Sequence, residues 1–332
     1  VPVSADLPDV DGEGLAAVMV APDALEEFLS EHGKHVTSVT RFLSEHGPGG
    51  RLAPRLSMPV PHPSRLGFYR KLMLRASVQP GRSPVSDALL RLQSREHLLD
   101  PAADDPEPDL LETAVALDRA LKRGESWVEV KDVDFDADGV DEVYVETTSA
   151  ALVVDPAEGV LAFWDDKDGS WPVTAVQPSV PAVLLRRLVG EEGTEPAPEP
   201  LFVQGRSQGR GRAELLLGSE SGSSVRLDLD GRKLSLELTA PATETVRMGP
   251  ELPLRLAAPR LRVDGGPWRD ADEPLAVSGH RFRLADDHHS ILISALRPCE
   301  MFVHPLEGGG LVVWPHWLTD GTGTYHISMS PS

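Results

Sequence analysis

Residues 127–147, WVEVKDVDFDADGVDEVYVET, mark the point where the sequence changes from a helical to a strand pattern. On either side of the acidic centre the pattern is short and β-type, with apolar residues at every second position, as at Val128 and Val130 and again at Val143 and Val145. A period of two puts apolar side chains on one face of a β-strand. The stretch therefore predicts two strands joined by an acidic segment, at the start of a β-domain.

The sequence after residue 150 continues in short strand-like runs separated by turn residues. The segment LDLDGRKLSLEL (227–238) predicts a hairpin with its turn at Asp230–Gly231, because Asp-Gly suits the positive φ of two-residue turns. Residues 180–190, VPAVLLRRLVG, are instead typical of a helix, and an acidic, proline-containing loop follows near 191–200. So many strands predict a large antiparallel β-sandwich.

The first third of the sequence predicts amphipathic helices. In one of them, Leu25, Phe28 and Leu29 share a face and Gly33 supplies a C-terminal cap. The predicted helices cover residues 21–33, 36–47, 64–77, 83–99 and 108–124. We therefore predict an α+β fold, in which a helical bundle domain at 1–124 precedes an antiparallel β-sandwich domain at 125–332.

Charge and composition exclude several classes of function. The chain has 332 residues and a net charge of −20, so nucleic acid and anionic membrane surfaces are not expected as partners. The single cysteine, Cys299, excludes an intrachain disulfide and is expected to be a small buried residue. No apolar run approaches the ~20 residues of a membrane helix. Because the acidic N-terminus does not resemble a signal peptide, we predict a cytoplasmic protein.

The acidic segment has the spacing of a calcium loop. The predicted ligands are the carboxylates of Asp134, Asp136, Asp138 and Glu142 and the backbone carbonyl of Val140, since alternating hard oxygens suit Ca²⁺. An EF-hand is excluded, because Val145 stands where its bidentate glutamate would be and strands flank the loop. The alternative is a two-residue Asp-Gly turn between strands 126–134 and 141–148, whose solvated carboxylates require no cation.

Several motifs occur in an order that resembles a known family. Residues 130–166 join the acidic D-x-D-x-D-G stretch to Asp155–Pro156, Gly159 and Trp164–Asp165. Further segments keep the same order, namely VTRFLSEHGPGGRLAPRLSM (39–58), LGFYRKLMLRAS (66–77) and PSVPAVLLRRLVGEE (178–192). This order resembles the α-amylase and 4-α-glucanotransferase branch of glycoside hydrolase family 57, over most of residues 10–195. Residues 201–332 resemble a galactose mutarotase-like sandwich in their general character.

The resemblance implies an α-glucan ligand, but no catalytic residue carries over. The family's nucleophile and acid belong to a (β/α) barrel of on the order of 250 residues, and no βα repeat precedes residue 20. In SDALLRLQSREHLLD (86–100), only Gln93 matches the family's Q-c-N-D-A-Y-W-H-G element. The tyrosine and tryptophan that would stack on a sugar are absent from that segment.

WPHW (314–317) is the strongest candidate for a carbohydrate platform, because flat aromatic rings stack on the apolar faces of pyranose sugars. The predicted binding residues are Trp314, His316 and Trp317, with Trp268 as a further candidate. The alternative is that these tryptophans fill the core of the sandwich. DDHH (286–289) is interpreted as a turn, with a metal or sugar-hydroxyl site as the alternative.

These observations predict a carbohydrate-associated, non-catalytic module that binds an α-glucan or oligosaccharide. One alternative is a part of an active glucanotransferase or amylase, whose catalytic barrel lies upstream or on a partner chain. The other alternative is a calcium-stabilised structural or interaction module without affinity for sugars. Calcium is the only cofactor predicted.

Overall fold

From residue 128 onward, the described part of the chain folds into antiparallel β-strands. The computed structural model describes residues 126–135, 139–174, 182–189, 198–241, 245–306, 310–319 and 321–332, and also Val115. The strands before residue 200 are β1 (Val128–Val133), β2 (Glu142–Thr147), β3 (Ala150–Asp155), β4 (Val160–Asp166), β5 (Trp171–Pro172) and β6 (Ala182–Val189). They are followed by β7 (Phe202–Gly209), β8 (Arg212–Gly218), β9 (Ser224–Asp230), β10 (Lys233–Ala240), β11 (Val246–Leu254), β12 (Arg260–Val263), β13 (Arg269–Asp270), β14 (Leu275–Ala285), β15 (Ser290–Pro305), β16 (Leu311–Thr319) and β17 (Gly323–Pro331).

The strands form two sheets that share the long strand β15. In the first sheet the order of neighbours is β1-β2-β3-β4-β6-β11-β16, and the short β5 also pairs with β4. In the second sheet the order is β7-β8-β9-β10-β17-β15-β14-β12-β13. Strand β15 pairs with β17 through Ile291–Ala295 and with β16 through Glu300–Pro305, so it passes from one sheet to the other.

The core lies between the two sheets and follows the alternation of the sequence. In β10, Leu234, Leu236 and Leu238 are fully buried, and they stand opposite buried residues of β9 and β17. One cluster joins them to inward-facing residues of the first sheet, such as Val143 and Leu152. A two-layer sandwich is the result, because each sheet must bury its apolar face against the other.

The predicted hairpin at 227–238 is present, but its turn lies one residue later than the predicted Asp230–Gly231. Asp230 pairs with Lys233, so Gly231 and Arg232 are the two central residues, and Gly231 has a positive φ of 57°. Glycine takes that conformation without steric cost, as a two-residue hairpin turn requires. The Nε of Arg232 donates to Oδ1 of the buried Asp166 at 2.8 Å, and a second guanidinium nitrogen pairs with Oδ2, so the hairpin tip is tied to β4.

The predicted α+β class is wrong for the part of the chain that the structure describes. Its regular elements are strands, no helical bundle is seen in it, and β6 occupies the segment 180–190 that was expected to be helical. Strand β6 lies between β4 and β11, and Ala182, Val183, Leu184 and Leu185 are all buried. A strand buried on both faces gives a continuous apolar run, which periodicity cannot distinguish from a buried helix.

The helices predicted for residues 1–124 lie outside the described residues, except at Val115, which is buried and has helical backbone. The domain boundary at 124/125 therefore stays a prediction. Within the residues that the structure does describe, no helix has the length and the apolar character to cross a membrane.

Strands β2 to β4 are buried on their outer face as well as on the face toward the core. Phe135, Tyr144, Val153 and Phe163 form a second apolar cluster there, together with Ala151. Beyond this cluster, the ammonium group of Lys167 lies 2.5 Å from Oε1 of Glu146, and both side chains are excluded from solvent. The outer face of this part of the sheet thus combines apolar packing with a buried ion pair.

Candidate functional site

The register of β15 and β16 assembles an aromatic cluster on the outer face of the first sheet. Glu300 stands opposite His316, and Phe302 stands opposite Trp314. Met301 and Val313 are next to these residues along the two strands and belong to the core between the sheets, so these four side chains point the other way. We call Phe302, Trp314, His316 and Leu318, with the flanking Glu300, the aromatic face.

The ring of His316 is stacked against each of the other two rings of this face. The ring of His316 is 4.2 Å from that of Trp314 and 4.8 Å from that of Phe302, with interplanar angles near 20°. Trp314 and His316 are almost wholly buried, whereas Phe302 is 37% exposed and Leu318 is 66% exposed. A ligand can therefore reach Phe302 and Leu318, and the rings of Trp314 and His316 pack against that of Phe302.

Two neighbouring strands hold the aromatic face in place. The guanidinium of Arg186 in β6 lies 5.1 Å from the centre of the Trp314 ring and forms an ion pair with Glu251 in β11. Gly249 in β11 passes so close to β16 that an added Cβ would lie 1.9 Å from the carbonyl oxygen of Pro315. The position of Trp314 and His316 therefore depends on a glycine and an arginine far away in the sequence.

His316 has more hydrogen-bond acceptors around it than a neutral imidazole can satisfy. Its Nδ1 lies 3.0 Å from the carbonyl oxygen of Trp314, and its Nε2 lies 3.2 Å from Oε2 of Glu300. Burial lowers the pKa of His316, and although Trp314 and Glu300 favour the charged form, they do not overcome burial and the charge of Arg247. The neutral ring, which donates only one of the two bonds, is thus the form favoured at neutral pH.

Replacing His316 with glutamine should flatten part of the pH dependence of stability. The folded-state pKa lies below the usual value of 6.5, so the unfolded chain takes up the proton first as the pH falls. The free energy of unfolding of the wild type should therefore fall as the pH drops through about 6.5. Urea unfolding of both proteins between pH 7.5 and 5 measures the difference, and identical slopes against pH would contradict the assignment.

The structure places the other predicted binding residues elsewhere. Trp317 faces the core, where its ring is stacked on that of Tyr325 at 4.9 Å. Trp268 precedes β13 in the second sheet and is exposed, with the guanidinium of Arg260 5.9 Å from its ring centre. Of the four predicted sugar-binding residues, only Trp314 and His316 lie together.

The acidic segment forms a longer connection than a two-residue turn. Strand β1 ends at Val133 and pairs there with Glu142, so eight residues (134–141) join the two strands. The buried carboxylate of Glu142 accepts a hydrogen bond from the backbone N–H of Phe135, and Val140 is exposed. Asp136 and Asp138 lie outside the described residues, so the calcium site with Asp134 and Glu142 stays a prediction.

DDHH forms the connection between β14 and β15. Oδ1 of Asp286 accepts hydrogen bonds from the backbone N–H groups of His288 and His289, and Oδ2 accepts one from Ala257. The ring of His289 is stacked on Trp171 at 4.9 Å. In the described residues no group of three or more histidine, cysteine, aspartate or glutamate side chains is arranged to hold a metal.

Cys299 is buried, as its sequence context predicted. Burial raises the pKa of its thiol to about 12, and the charge of Asp264 acts in the same direction. The thiol is therefore neutral at physiological pH and behaves as a small apolar residue.

No family model matches the chain, and no curated protein matches its sequence. Among solved structures it is similar to a 4-alpha-glucanotransferase from Thermococcus litoralis, with a TM-score of 0.58 and 14% identity over 93% of this chain. The chain spans about half of that enzyme, since the match covers 54% of it. At this identity the likeness shows a shared fold, and membership of glycoside hydrolase family 57 stays a prediction.

Matches with lower TM-scores include two mutarotase-related proteins. A galactose mutarotase-like protein from Lactobacillus casei matches with a TM-score of 0.41 and 9% identity, over 57% of this chain and 99% of its own. A galactose mutarotase related enzyme from Lactobacillus acidophilus matches with a TM-score of 0.41 and 10% identity, over 57% of this chain and 97% of its own.

Sequence reasoning missed the accessible half of the aromatic face. Phe302 lies in EMFVHP, where residues 300, 302 and 304 alternate with the buried Met301 and Val303. That alternation marks Phe302 as an apolar residue on the polar side of a strand, which is a detectable signal. Nothing in the local sequence shows that it stands opposite Trp314.

Proposed function

We propose that this chain is a non-catalytic carbohydrate-associated module that binds an α-glucan on the aromatic face. The observation that carries the proposal is the exposed ring of Phe302, which packs against the rings of Trp314 and His316, with the exposed Leu318 on the same strand as those two residues. Exposed rings held rigidly by other rings provide a flat apolar surface at low cost in conformational entropy.

Polar groups border this surface at positions where sugar hydroxyls would lie. Glu300 is about half exposed next to His316, and His304 is exposed on the same face of β15. Arg247 stands opposite Leu318 across the β11–β16 pair. A pyranose that stacks on Phe302 would then find both an acceptor and a donor at the rim, which is the usual composition of a sugar site.

The choice of an α-glucan follows the motif order of residues 10–195 and the shared fold with the glucanotransferase of Thermococcus litoralis. A neutral glucan also suits a protein of net charge −20, because it adds no electrostatic repulsion. A second candidate function is a part of an active glucanotransferase or amylase. The observation that favours it is that the chain corresponds to only 54% of that enzyme.

Titration of the protein with maltoheptaose, cellohexaose and glucose, followed by calorimetry, tests the proposal. We expect maltoheptaose to bind with a Kd on the order of 1 mM, more tightly than cellohexaose, and to remain uncleaved after prolonged incubation. Absence of binding at ~10 mM sugar would contradict glucan recognition. Appearance of shortened or lengthened maltooligosaccharides would instead establish the second candidate.

A further inference from the structure

The outer face of the second sheet carries a group of arginines near its edge. Strand β12 provides Arg260 and Arg262, and strand β14 provides Arg281 and Arg283. Leu261, Phe282 and Leu284 alternate with them and are fully buried, so the arginines point away from the core. We call these four residues, with the neighbouring Trp268, the arginine patch.

Like charges face each other directly in this patch. Arg262 is the cross-strand partner of Arg283, and Arg281 lies two residues from Arg283 on the same face. Side chains at directly opposed positions are ~5 Å apart at their Cβ atoms, and like charges there are destabilising. The chain has 52 acidic and 32 basic side chains, so a group of four neighbouring arginines is opposite in sign to its net charge.

On the other half of the same face, arginines are paired with carboxylates. On β8 and β9, Arg212 forms a bidentate pair with Asp228, and Arg226 pairs with Glu214. Arg262, Arg281 and Arg283, by comparison, have no ion pair within the described part of the chain. The carboxylate of Asp264 accepts hydrogen bonds from the backbone N–H groups of His280 and Arg281.

Neutral hydrogen bonds hold two of these guanidinium groups in position. Arg283 donates to Oγ of Ser332 at 3.1 Å and to Oγ of Ser290 at 3.5 Å, and Arg262 donates to the carbonyl oxygen of Gly265 at 2.8 Å. The Nε of Arg262 is buried and has no hydrogen-bond partner. Two positioned guanidinium groups beside serine hydroxyls are the donor set that binds a phosphate dianion.

An exposed aromatic ring adjoins these donors. Trp268 is 42% exposed, and it lies against Arg260, which is two residues from Arg262 on the same strand. Since β13 pairs Arg269 with Leu261, the preceding Trp268 reaches the level of Arg262. We infer that the arginine patch binds a sugar phosphate, with its phosphate on Arg262 and Arg283 and its ring against Trp268. This assignment of a ligand class rests on the proposed carbohydrate function.

Titrations at low ionic strength with inorganic phosphate, glucose 1-phosphate and glucose test the inference. We expect glucose 1-phosphate to bind more tightly than inorganic phosphate, and glucose alone not to bind at the patch. Arg283→Gln and Arg262→Gln should each weaken binding of both phosphates by about tenfold. Arg212→Gln, a matched change on the other half of the same face, should leave both affinities unchanged.

Trp268→Ala separates the two parts of the site. It should reduce the affinity for glucose 1-phosphate to that for inorganic phosphate and leave inorganic phosphate binding unaltered. Failure of inorganic phosphate to bind at ~20 mM, or binding unaffected by Arg283→Gln and Arg262→Gln, would overturn the inference. Equal affinities of the two phosphates in the wild type would overturn its sugar part.

Two further outcomes separate this inference from its alternatives. Phe302→Ala should not change phosphate binding, so a failed test of maltoheptaose binding and a failed test here are distinct results. If Arg283→Gln abolishes a salt-sensitive self-association while phosphate fails to bind, the patch recognises carboxylates of a second copy and the inference is overturned.

Discussion

Replacing Glu146 with alanine is expected to lower the free energy of unfolding by about 3–5 kcal/mol. Its carboxylate lies 2.5 Å from the ammonium of Lys167, whose side chain is fully excluded from solvent. That ammonium also donates to the carbonyl oxygen of Thr147 at 2.9 Å and lies 5.2 Å from the centre of the Trp127 ring, two neutral groups. Removing the carboxylate leaves a buried cation without its closest counter-charge, which is far costlier than losing a surface pair.

Urea unfolding of matched variants measures this effect. Glu214→Ala breaks an exposed pair with Arg226 and should cost less than about 1 kcal/mol. The double variant Glu146→Leu with Lys167→Met removes both charges and should recover most of the stability that Glu146→Ala loses. A loss for Glu146→Ala no larger than that for Glu214→Ala would show that the Lys167 site is hydrated.

Replacing Gly249 with alanine is expected to destabilise the fold by about 2–3 kcal/mol, because the added methyl group collides with backbone. The nearest atoms to a Cβ at this position are the carbonyl oxygen of Pro315 at 1.9 Å and Cα of His316 at 2.9 Å. Backbone atoms in the middle of a paired strand cannot move aside as a flexible side chain can. Strands β11 and β16 must therefore separate, and the aromatic face must shift with them.

Gly209→Ala provides the control, since no atom lies within 4 Å of a Cβ added at that position of β7. Its free energy of unfolding should stay within about 0.5 kcal/mol of the wild type. Thermal or urea unfolding compares the two variants. Equal stabilities of the Gly249 and Gly209 variants would mean that β11 does not approach β16 as closely as described.

The second sheet could be predicted from local patterns. Alternating leucines and an Asp-Gly turn are enough to place β9 and β10, because each signal acts within a few residues. Strand β6 could not be predicted, since Ala182 to Leu185 are buried on both faces and their apolar run carries no period. Only its pairing with β4 and β11, which are distant in the sequence, identifies it as a strand.

The candidate site shows the same division between local and long-range information. The alternation in WPHW separates Trp314 and His316 from Trp317, so the sequence holds enough information to put them on opposite faces. The local sequence does not show which residue lies opposite Trp314 on the neighbouring strand. Phe302 meets Trp314 only through the β15–β16 register, and Arg186 reaches Trp314 across β11.

The acidic segment illustrates a limit of motif spacing. Its aspartates match a calcium loop and its Asp-Gly pair matches a tight turn, but the connection between β1 and β2 has eight residues. Glu142, predicted as a ligand, is also a hydrogen-bond acceptor for the backbone of Phe135. Spacing alone cannot distinguish a carboxylate that accepts a hydrogen bond within its own loop from one that binds a cation.

The most direct test of the aromatic face compares two exposed phenylalanines in one glucan-binding experiment. Phe302 lies on the aromatic face, whereas Phe202, 48% exposed, begins β7 in the second sheet. Calorimetric titration with maltoheptaose should show binding to the wild type and to Phe202→Ala with equal affinity. Phe302→Ala should bind about tenfold more weakly, the loss of one stacking contact. Equal affinities of Phe302→Ala and the wild type would contradict the aromatic face as the glucan site.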